Sequence, residues 1–83
     1  MADVQIYLKP TCPYCRRALG LLDAKGANYT VHDVSNPADQ DAMAAKAGRR
    51  SVPQIWIGGE HIGGCDDLHA LDAQGLLDGK LKA

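Results

Sequence analysis

The sequence contains no phenylalanine, and its aromatic side chains are limited to Trp56 and three tyrosines. Its 46% hydrophobic content is therefore mostly aliphatic, and in 83 residues it suffices for one small core. We expect a single domain spanning residues 1–83. Positive charge is not in excess either, because the formal net charge is −1 at pH 7. A nucleic acid or an anionic membrane is therefore not an expected partner, and the arginine pairs at 16–17 and 49–50 are expected on solvated faces.

Long apolar runs are also missing, and none approaches the ~18 residues that a membrane-spanning helix requires. No apolar segment follows residues 1–3, so we expect no secretory signal. The three cysteines are an odd number, which disfavours a small secreted scaffold held by disulfides. We expect a cytoplasmic protein, in a reducing compartment, that functions as a monomer.

Two kinds of hydrophobic periodicity alternate along the chain. The residues at 4, 6 and 8 follow the period of two that indicates a strand, whereas Cys15, Leu19 and Leu22 recur at helical spacing. The predicted elements are strands at 4–8, 29–33, 53–57 and 60–62, and helices at 13–25, at 37–47 and from 66 onward. The order β-α-β-α-β-β-α predicts a thioredoxin-like α/β fold, with a parallel strand pair and an antiparallel final hairpin. Beyond Gly75 we expect only a frayed helical turn.

The segment TCPYC at 11–15 lies where the first strand gives way to the first helix. A zinc site is one interpretation, with Cys12, Cys15, His61 and Cys65 as ligands. A structural disulfide between Cys12 and Cys15 is disfavoured, because so short a loop constrains the unfolded chain little. Two cysteines separated by two residues in a βαβ pattern are typical of a redox pair, and this is the interpretation we favour.

The position of each cysteine predicts its role in such a pair. Cys12 lies at a helix N-terminus, where unpaired N–H groups favour a thiolate, and Lys9 adds a nearby positive charge. Cys15 lies one turn further along, on the apolar face, where burial raises a thiol pKa. Because the thiolate is the form that attacks disulfides, we expect Cys12 to be the nucleophile and Cys15 the resolving thiol.

Two further stretches predict what the redox pair acts on. A cis Pro53 would leave the backbone of Val52 free to pair with an extended ligand, although an ordinary proline at a strand edge explains the same residues. The turn at 63–64 precedes a helix start, and the exposed N–H groups there predict an anion-binding site at Gly64. The Asp66 carboxylate beside it is positioned to accept a hydrogen bond from an ammonium group. A carboxylate, an ammonium group, an extended backbone and a thiol together describe glutathione.

The stretches CPYC (12–15), SVPQIWI (51–57) and HIGGCDDL (61–68) closely resemble the dithiol glutaredoxins, of the bacterial glutaredoxin-3 type. The resemblance implies four mixed strands flanked by three helices, and glutathione-dependent reduction of protein disulfides and glutathionylated proteins. It also implies glutathione contacts from Lys9, Tyr14, Gln40, Val52, a cis Pro53, Gly64, the Cys65 backbone and Asp66. Glutathione is then the co-substrate, with no metal expected. Trp56 stands where phenylalanine is commoner, and we expect it to pack in the core or on a sheet face.

Two other redox functions stay open at this stage. One is a thiol reductant recycled by a flavoenzyme such as thioredoxin reductase, without glutathione. The other is an iron–sulfur carrier, in which two chains and two glutathiones share a cluster through Cys12; relatives with that function mostly have glycine in place of Pro13. The resemblance is consistent with several protein substrates, among them ribonucleotide reductase.

Overall fold

A computed structural model describes residues 2–83 of the chain. Its elements, in chain order, are β1 (Val4–Leu8), α1 (Pro13–Ala24), β2 (Tyr29–Asp33), α2 (Pro37–Ala47), β3 (Gln54–Ile57), β4 (Glu60–Gly63), α3 (Cys65–Ala73) and α4 (Leu77–Lys82). Within the described range, no helix combines the length and the apolar character needed to cross a membrane.

The four strands form one mixed sheet in the order β2-β1-β3-β4. Strands β1 and β2 are parallel, whereas β3 is antiparallel to both β1 and β4. The predicted thioredoxin-like α/β fold is therefore confirmed. Because β1 is central, the loop that follows it emerges in the middle of one sheet edge, and α1 begins there.

The core between the sheet and the helices α1 and α3 is aliphatic, as expected from the absence of phenylalanine. The alternate residues Val4, Ile6 and Leu8 of β1 are buried against Leu22 of α1 and Leu68 of α3. Each fully buried side chain of this kind contributes about 1.5–3 kcal/mol relative to an exposed one. This packing fixes α1 on the sheet, and with α1 the position of its first residues.

The chain beyond Gly75 differs from the expectation of a frayed turn, because it forms the fourth helix, α4. Leu77 and Leu81 lie four residues apart on one face of α4 and are both buried in the core. The backbone N–H of Ala2 donates to the Leu81 carbonyl at 2.9 Å, which ties α4 to the start of the chain. Tertiary packing, not helix propensity, accounts for this short helix.

The opposite face of the sheet, under α2, has a different composition. Four rings form a row across the strands: Tyr7 stacks on His32 with centroids 4.3 Å apart, Trp56 stacks on His61 at 4.6 Å, and the edge contact between Tyr7 and Trp56 joins the two stacks at 5.1 Å. The Lys46 ammonium group of α2 lies 4.5 Å from the Trp56 ring centre. Trp56 is thus buried on a sheet face, in agreement with the expectation that it packs in the core or on a sheet face.

Candidate active site

Cys12 immediately precedes the first residue of α1, at the edge where β1 ends. Its extended backbone, with φ −81° and ψ 120°, is typical of a residue that caps a helix. Among the described residues, no side chain caps this end of α1 and no acidic residue occupies its first turn. The N–H groups of the first turn are therefore available to the Cys12 sulfur.

The pKa of the Cys12 thiol is lowered from its ordinary value of 9.0. The largest single influence is partial burial, which acts in the opposite direction because it disfavours the thiolate. Burial is outweighed by hydrogen bonds from the Cys15 thiol and from the backbone N–H groups of Cys15 and Tyr14, with the charge of Lys9 in addition. The helix start therefore stabilises a thiolate at Cys12.

Cys15 lies one turn further along α1 and is only 1% exposed. Burial raises the pKa of the Cys15 thiol to about 12; the Lys9 backbone opposes this increase, and the neighbouring Cys12 sulfur adds to it. The two thiols therefore have opposite character. Cys12 ionises readily, whereas Cys15 retains its proton and donates it in a hydrogen bond to Cys12.

An open groove of about 320 Å³ has Tyr14, which lies between the two cysteines in the sequence, among its lining residues, although neither Cys12 nor Cys15 lines it. One wall is the segment 51–53, between α2 and β3, and the other is the start of α3. The Val52–Pro53 peptide bond is cis, which confirms the conformation implied by the resemblance. The Val52 carbonyl oxygen lies 3.9 Å from the Cys12 sulfur, so the first wall extends to the thiol.

The turn formed by Gly63 and Gly64 allows α3 to start close to the opposite wall. Gly63 has a φ of +117°, and a Cβ there would collide with the Asp67 carboxylate and the Arg49 guanidinium group. A Cβ on Gly64 would lie 3.3 Å from the Pro53 carbonyl oxygen, which is a tight contact across the groove. The φ of Gly63 therefore favours glycine, and a side chain at Gly64 would push the Pro53 carbonyl aside and alter the groove.

The two acidic residues at the start of α3 have different surroundings. Asp67 accepts a hydrogen bond from the Gly64 N–H at 2.9 Å and pairs with Arg49 at 3.1 Å. These two interactions, the first being the larger, lower the pKa of the Asp67 carboxyl group. Asp67 thus acts as a helix cap, whereas Asp66 lies exposed on the groove wall.

Most of the predicted glutathione contacts line this groove: Tyr14, Val52, Pro53, Gly64, Cys65 and Asp66. Lys9 and Gln40 are not among the lining residues. The Gln40 amide donates to the Arg50 carbonyl at 2.9 Å, and the charge of Lys9 acts on the Cys12 thiol. Three other lining residues were not among the predicted contacts: Arg49, Ser51 and Asp67.

Both arginines at 49–50 are exposed, as expected, but their surroundings differ. Arg50 forms an ion pair with Asp41 of α2. Arg49 instead lines the groove, where it contacts Asp67. These two residues are 18 positions apart, and no local pattern links residues at that separation.

Cys65 is the first residue of α3 and is only 4% exposed. Burial raises the pKa of its thiol; the charge of Arg17 opposes this effect, whereas Asp66 and Cys12 reinforce it. All three cysteines are free thiols. Cys65 is therefore a protonated, buried neighbour of the redox pair.

The structure does not favour the zinc hypothesis. Within residues 2–83, no three side chains among histidine, cysteine, aspartate and glutamate are grouped so that they could hold a metal ion. His61, which that hypothesis requires, stacks on Trp56 and lies 2.7 Å from the Gln54 carboxamide oxygen. It therefore belongs to the ring-bearing face of the sheet.

Comparison with known proteins agrees with this site. A family model described as glutaredoxin matches residues 4–62. The chain belongs to the glutaredoxin family. It is 53% identical over 83 residues to glutaredoxin 3 of Escherichia coli strain K12, a match that covers 99% of this chain and 100% of the relative. The predicted resemblance to a bacterial glutaredoxin of that type is therefore confirmed.

Solved structures of other glutaredoxins have the same fold. The solution structure of glutaredoxin from Brucella melitensis is 51% identical, with a TM-score of 0.88, and covers 99% of this chain and 90% of that one. A buckwheat glutaredoxin, solved as a complex with glutathione, is 34% identical, with a TM-score of 0.89, and covers 98% of this chain and 77% of that one.

Proposed function

We propose that this glutaredoxin is a glutathione-dependent thiol–disulfide oxidoreductase, with Cys12 as its nucleophile and Cys15 as its resolving thiol. The observation that carries the proposal is the contrast between the two thiols. Cys12 has a lowered pKa and is half-buried next to Val52 of the groove wall, whereas Cys15 is buried and has a raised pKa. The buckwheat relative, which was solved with glutathione, supports the choice of co-substrate.

The groove offers a complementary partner to each end of glutathione. We assign the γ-glutamyl carboxylate to the backbone N–H of Cys65, where the positive end of α3 lies, and its ammonium group to Asp66. Gly64 lines the same site, but its own N–H is bonded to Asp67. The Val52 backbone pairs with the cysteinyl residue, which places the glutathione sulfur next to Cys12. Tyr14, 55% exposed beside the thiol, covers the bound tripeptide.

The glycine carboxylate of glutathione is assigned to Lys9 and Gln40. Gln40 donates one N–H to the Arg50 carbonyl in the free protein, which leaves its second N–H for the carboxylate.

The monothiol branch reduces a protein that carries a glutathionyl group. The Cys12 thiolate attacks the glutathione sulfur, the mixed disulfide breaks, and the protein leaves as a thiolate that takes up a proton. A second glutathione, as its thiolate, attacks the glutathionyl sulfur on Cys12. Glutathione disulfide leaves, the Cys12 thiolate is restored, and two electrons have passed from glutathione to the protein substrate.

The dithiol branch reduces a protein disulfide and requires Cys15. Cys12 forms a mixed disulfide with the substrate, after which Cys15 attacks Cys12 and the substrate leaves fully reduced. Formation of the first bond removes the Cys12 thiolate, whose charge raises the pKa of Cys15, so Cys15 becomes easier to ionise when it is needed. Two glutathiones then reduce the Cys12–Cys15 disulfide, whose potential we expect at about −200 to −230 mV.

The physiological setting follows from this chemistry. We propose that residues 1–83 act as a single-domain monomer in the cytoplasm, where glutathione is reduced and three free thiols persist. The substrates are glutathionylated proteins and disulfide-containing proteins, with ribonucleotide reductase among the candidates.

The test is turnover of a small mixed disulfide of glutathione, coupled to glutathione reductase and NADPH. We expect Cys12→Ser to lower turnover by about 10³-fold or more, because a hydroxyl cannot replace the nucleophilic thiolate. Cys15→Ser should retain this activity but lose the reduction of a protein disulfide. Loss of both activities in Cys15→Ser would contradict the roles assigned to the two thiols. An inactive wild type that is instead reduced by thioredoxin reductase would contradict the glutathione assignment.

A further inference from the structure

Gln54 is the one buried polar side chain among residues 2–83, and it is fully inaccessible. Its amide nitrogen donates to the Ser51 carbonyl oxygen at 3.0 Å and lies 3.2 Å from the Ser51 hydroxyl. Since a carbonyl oxygen only accepts, the NH₂ group must face Ser51. The orientation of the carboxamide is thereby fixed, with Oε1 pointing away from Ser51.

His61 supplies the partner of that oxygen. Its Nε2 lies 2.7 Å from Oε1 of Gln54, and because Oε1 accepts, Nε2 must carry the proton and donate. The imidazole is itself held by stacking on Trp56, with ring centres 4.6 Å apart and planes inclined by 29°. Strand β4 thus presents a donor in a fixed position to the buried amide.

The hydrogen bonds that run from His61 to Gln54 and from Gln54 to Ser51 end at the first wall of the groove. Ser51 and Val52 both line the groove, and the Val52 carbonyl oxygen lies 3.9 Å from the Cys12 sulfur. We infer that Gln54, oriented by His61, is a positioning residue that fixes this wall for glutathione. The inference rests on the proposed function, because it assigns a purpose to the same groove. It adds two residues that do not themselves line the groove.

A second histidine–glutamine pair on the same sheet face provides an internal control. Nε2 of His32 lies 2.5 Å from Oε1 of Gln5, and the His32 ring stacks on Tyr7 at 4.3 Å. The Gln5 amide, however, donates to the Asp3 carboxylate at 2.9 and 3.0 Å, not to a groove residue. The two pairs share their chemistry and their sheet face. They differ in burial, because Gln54 is fully inaccessible and Gln5 is half-buried, and in what the amide holds.

The experiment compares Gln54→Met and His61→Phe with His32→Phe. Methionine approximates the shape of glutamine without its hydrogen bonds, and phenylalanine retains a ring to stack while removing the donor. Two rates are measured at a temperature where urea unfolding shows every variant folded: kcat/KM for a small glutathione mixed disulfide, and alkylation of the Cys12 thiolate at a pH above its pKa. Alkylation by a small reagent reports the nucleophile without requiring the groove.

We expect Gln54→Met to lower kcat/KM roughly tenfold and His61→Phe to lower it about threefold, because a misplaced wall orients the substrate poorly. In both variants, alkylation should stay within about twofold of wild type, and His32→Phe should change neither rate by more than that. A general structural role would move both rates, or would affect His32→Phe equally, and would overturn the inference. So would unchanged kcat/KM in Gln54→Met.

If Gln54→Met does not fold, the comparison of His61→Phe with His32→Phe decides the question. Equal kcat/KM values in these two variants would then overturn the inference. An inactive wild type is a separate result, because it contradicts the proposed function before any variant is compared.

Discussion

Two helices start at the groove, each with a cysteine, and the two thiols have opposite acidity. At the start of α1, the pKa of Cys12 is lowered, whereas at the start of α3, burial raises the pKa of Cys65. Both cysteines are near a helix N-terminus, so the helix dipole alone does not decide which one becomes a thiolate.

The difference lies in what else occupies each helix start. Among the described residues, α1 has no side-chain cap and no acidic residue in its first turn, so its N–H groups serve Cys12. The first turn of α3 contains Asp66 and Asp67, and the Asp67 carboxylate accepts the bond from Gly64. Cys65 is also one position further into its helix, and its side chain packs in the core. A helix start activates a thiol only when the thiol stays partly exposed and no carboxylate competes for the N–H groups.

The largest expected effect concerns the pH dependence of alkylation. The lowered pKa of Cys12 means that the midpoint of its alkylation rate lies below pH 9.0, whereas the raised pKa of Cys65 puts the midpoint of its rate above that pH. At neutral pH we expect Cys12 to react at least about a hundredfold faster, because ionisation and exposure act in the same direction.

The rates are separated by mass spectrometry of wild type and of a Cys12→Ser, Cys15→Ser double variant, in which Cys65 is the remaining thiol. Comparable alkylation rates at neutral pH would show that the start of α3 activates its cysteine as well, which would remove the contrast.

The same substitution at the two helix starts should have different effects on stability. Cys65→Ser places a hydroxyl in the core cluster and should lower the free energy of unfolding by about 1–3 kcal/mol. Cys12→Ser, at a half-buried position, should lower it by less than about 0.5 kcal/mol. Urea denaturation of both variants measures the difference. A stable Cys65→Ser protein would argue that the Cys65 side chain is not part of the core.

The smallest expected effect concerns the cap of α3. Asp67 has a lowered pKa in the folded chain, so its charge stabilises the fold above the unfolded value near 3.8, and this contribution is lost as pH falls through the folded pKa. Asp67→Asn should therefore lower stability at neutral pH, by less than about 1 kcal/mol because the ion pair with Arg49 is exposed.

Urea denaturation of Asp67→Asn and wild type, repeated at decreasing pH, checks the sign of this effect. The gap between the two proteins should narrow below pH ~3.8 as the wild-type carboxyl group becomes protonated. A gap that widens on acidification would mean that the Asp67 charge does not support the helix start. Arg49→Gln is the matched control, because it removes the same ion pair but leaves the bond from Gly64.

Several parts of the site could be predicted from the sequence because they depend on neighbours along the chain. The spacing of Cys12 and Cys15 behind a strand, with Pro13 in the first turn, indicates both the helix start and the redox pair. The turn at 63–64 before two acidic residues likewise indicates a second helix start with room for a ligand. These features depend on backbone geometry over a few residues, and the structure has them at the predicted positions.

Other parts required residues that are far apart in the sequence. In the sequence, nothing distinguishes Arg49 from an ordinary surface charge, and its contact with Asp67 exists only in the folded chain. Gln54 likewise looks like any strand residue in the sequence, and its hydrogen bond with His61 forms only when β3 and β4 pair. The segment after Gly75 has little helical tendency of its own. It forms α4 because burial of Leu77 in the core stabilises the helix.

The sequence by itself determined the order of the elements from β1 to α3, the redox pair and the family, because periodicity, turn residues and short motifs are local properties of the chain. The tertiary structure decided how acidic each thiol is and how wide the groove is. Both depend on burial and on contacts across the sheet, and desolvation and hydrogen bonding act on a group only when the folded chain surrounds it. For that reason Cys12 and Cys65, which both begin helices in the sequence, differ in the folded protein.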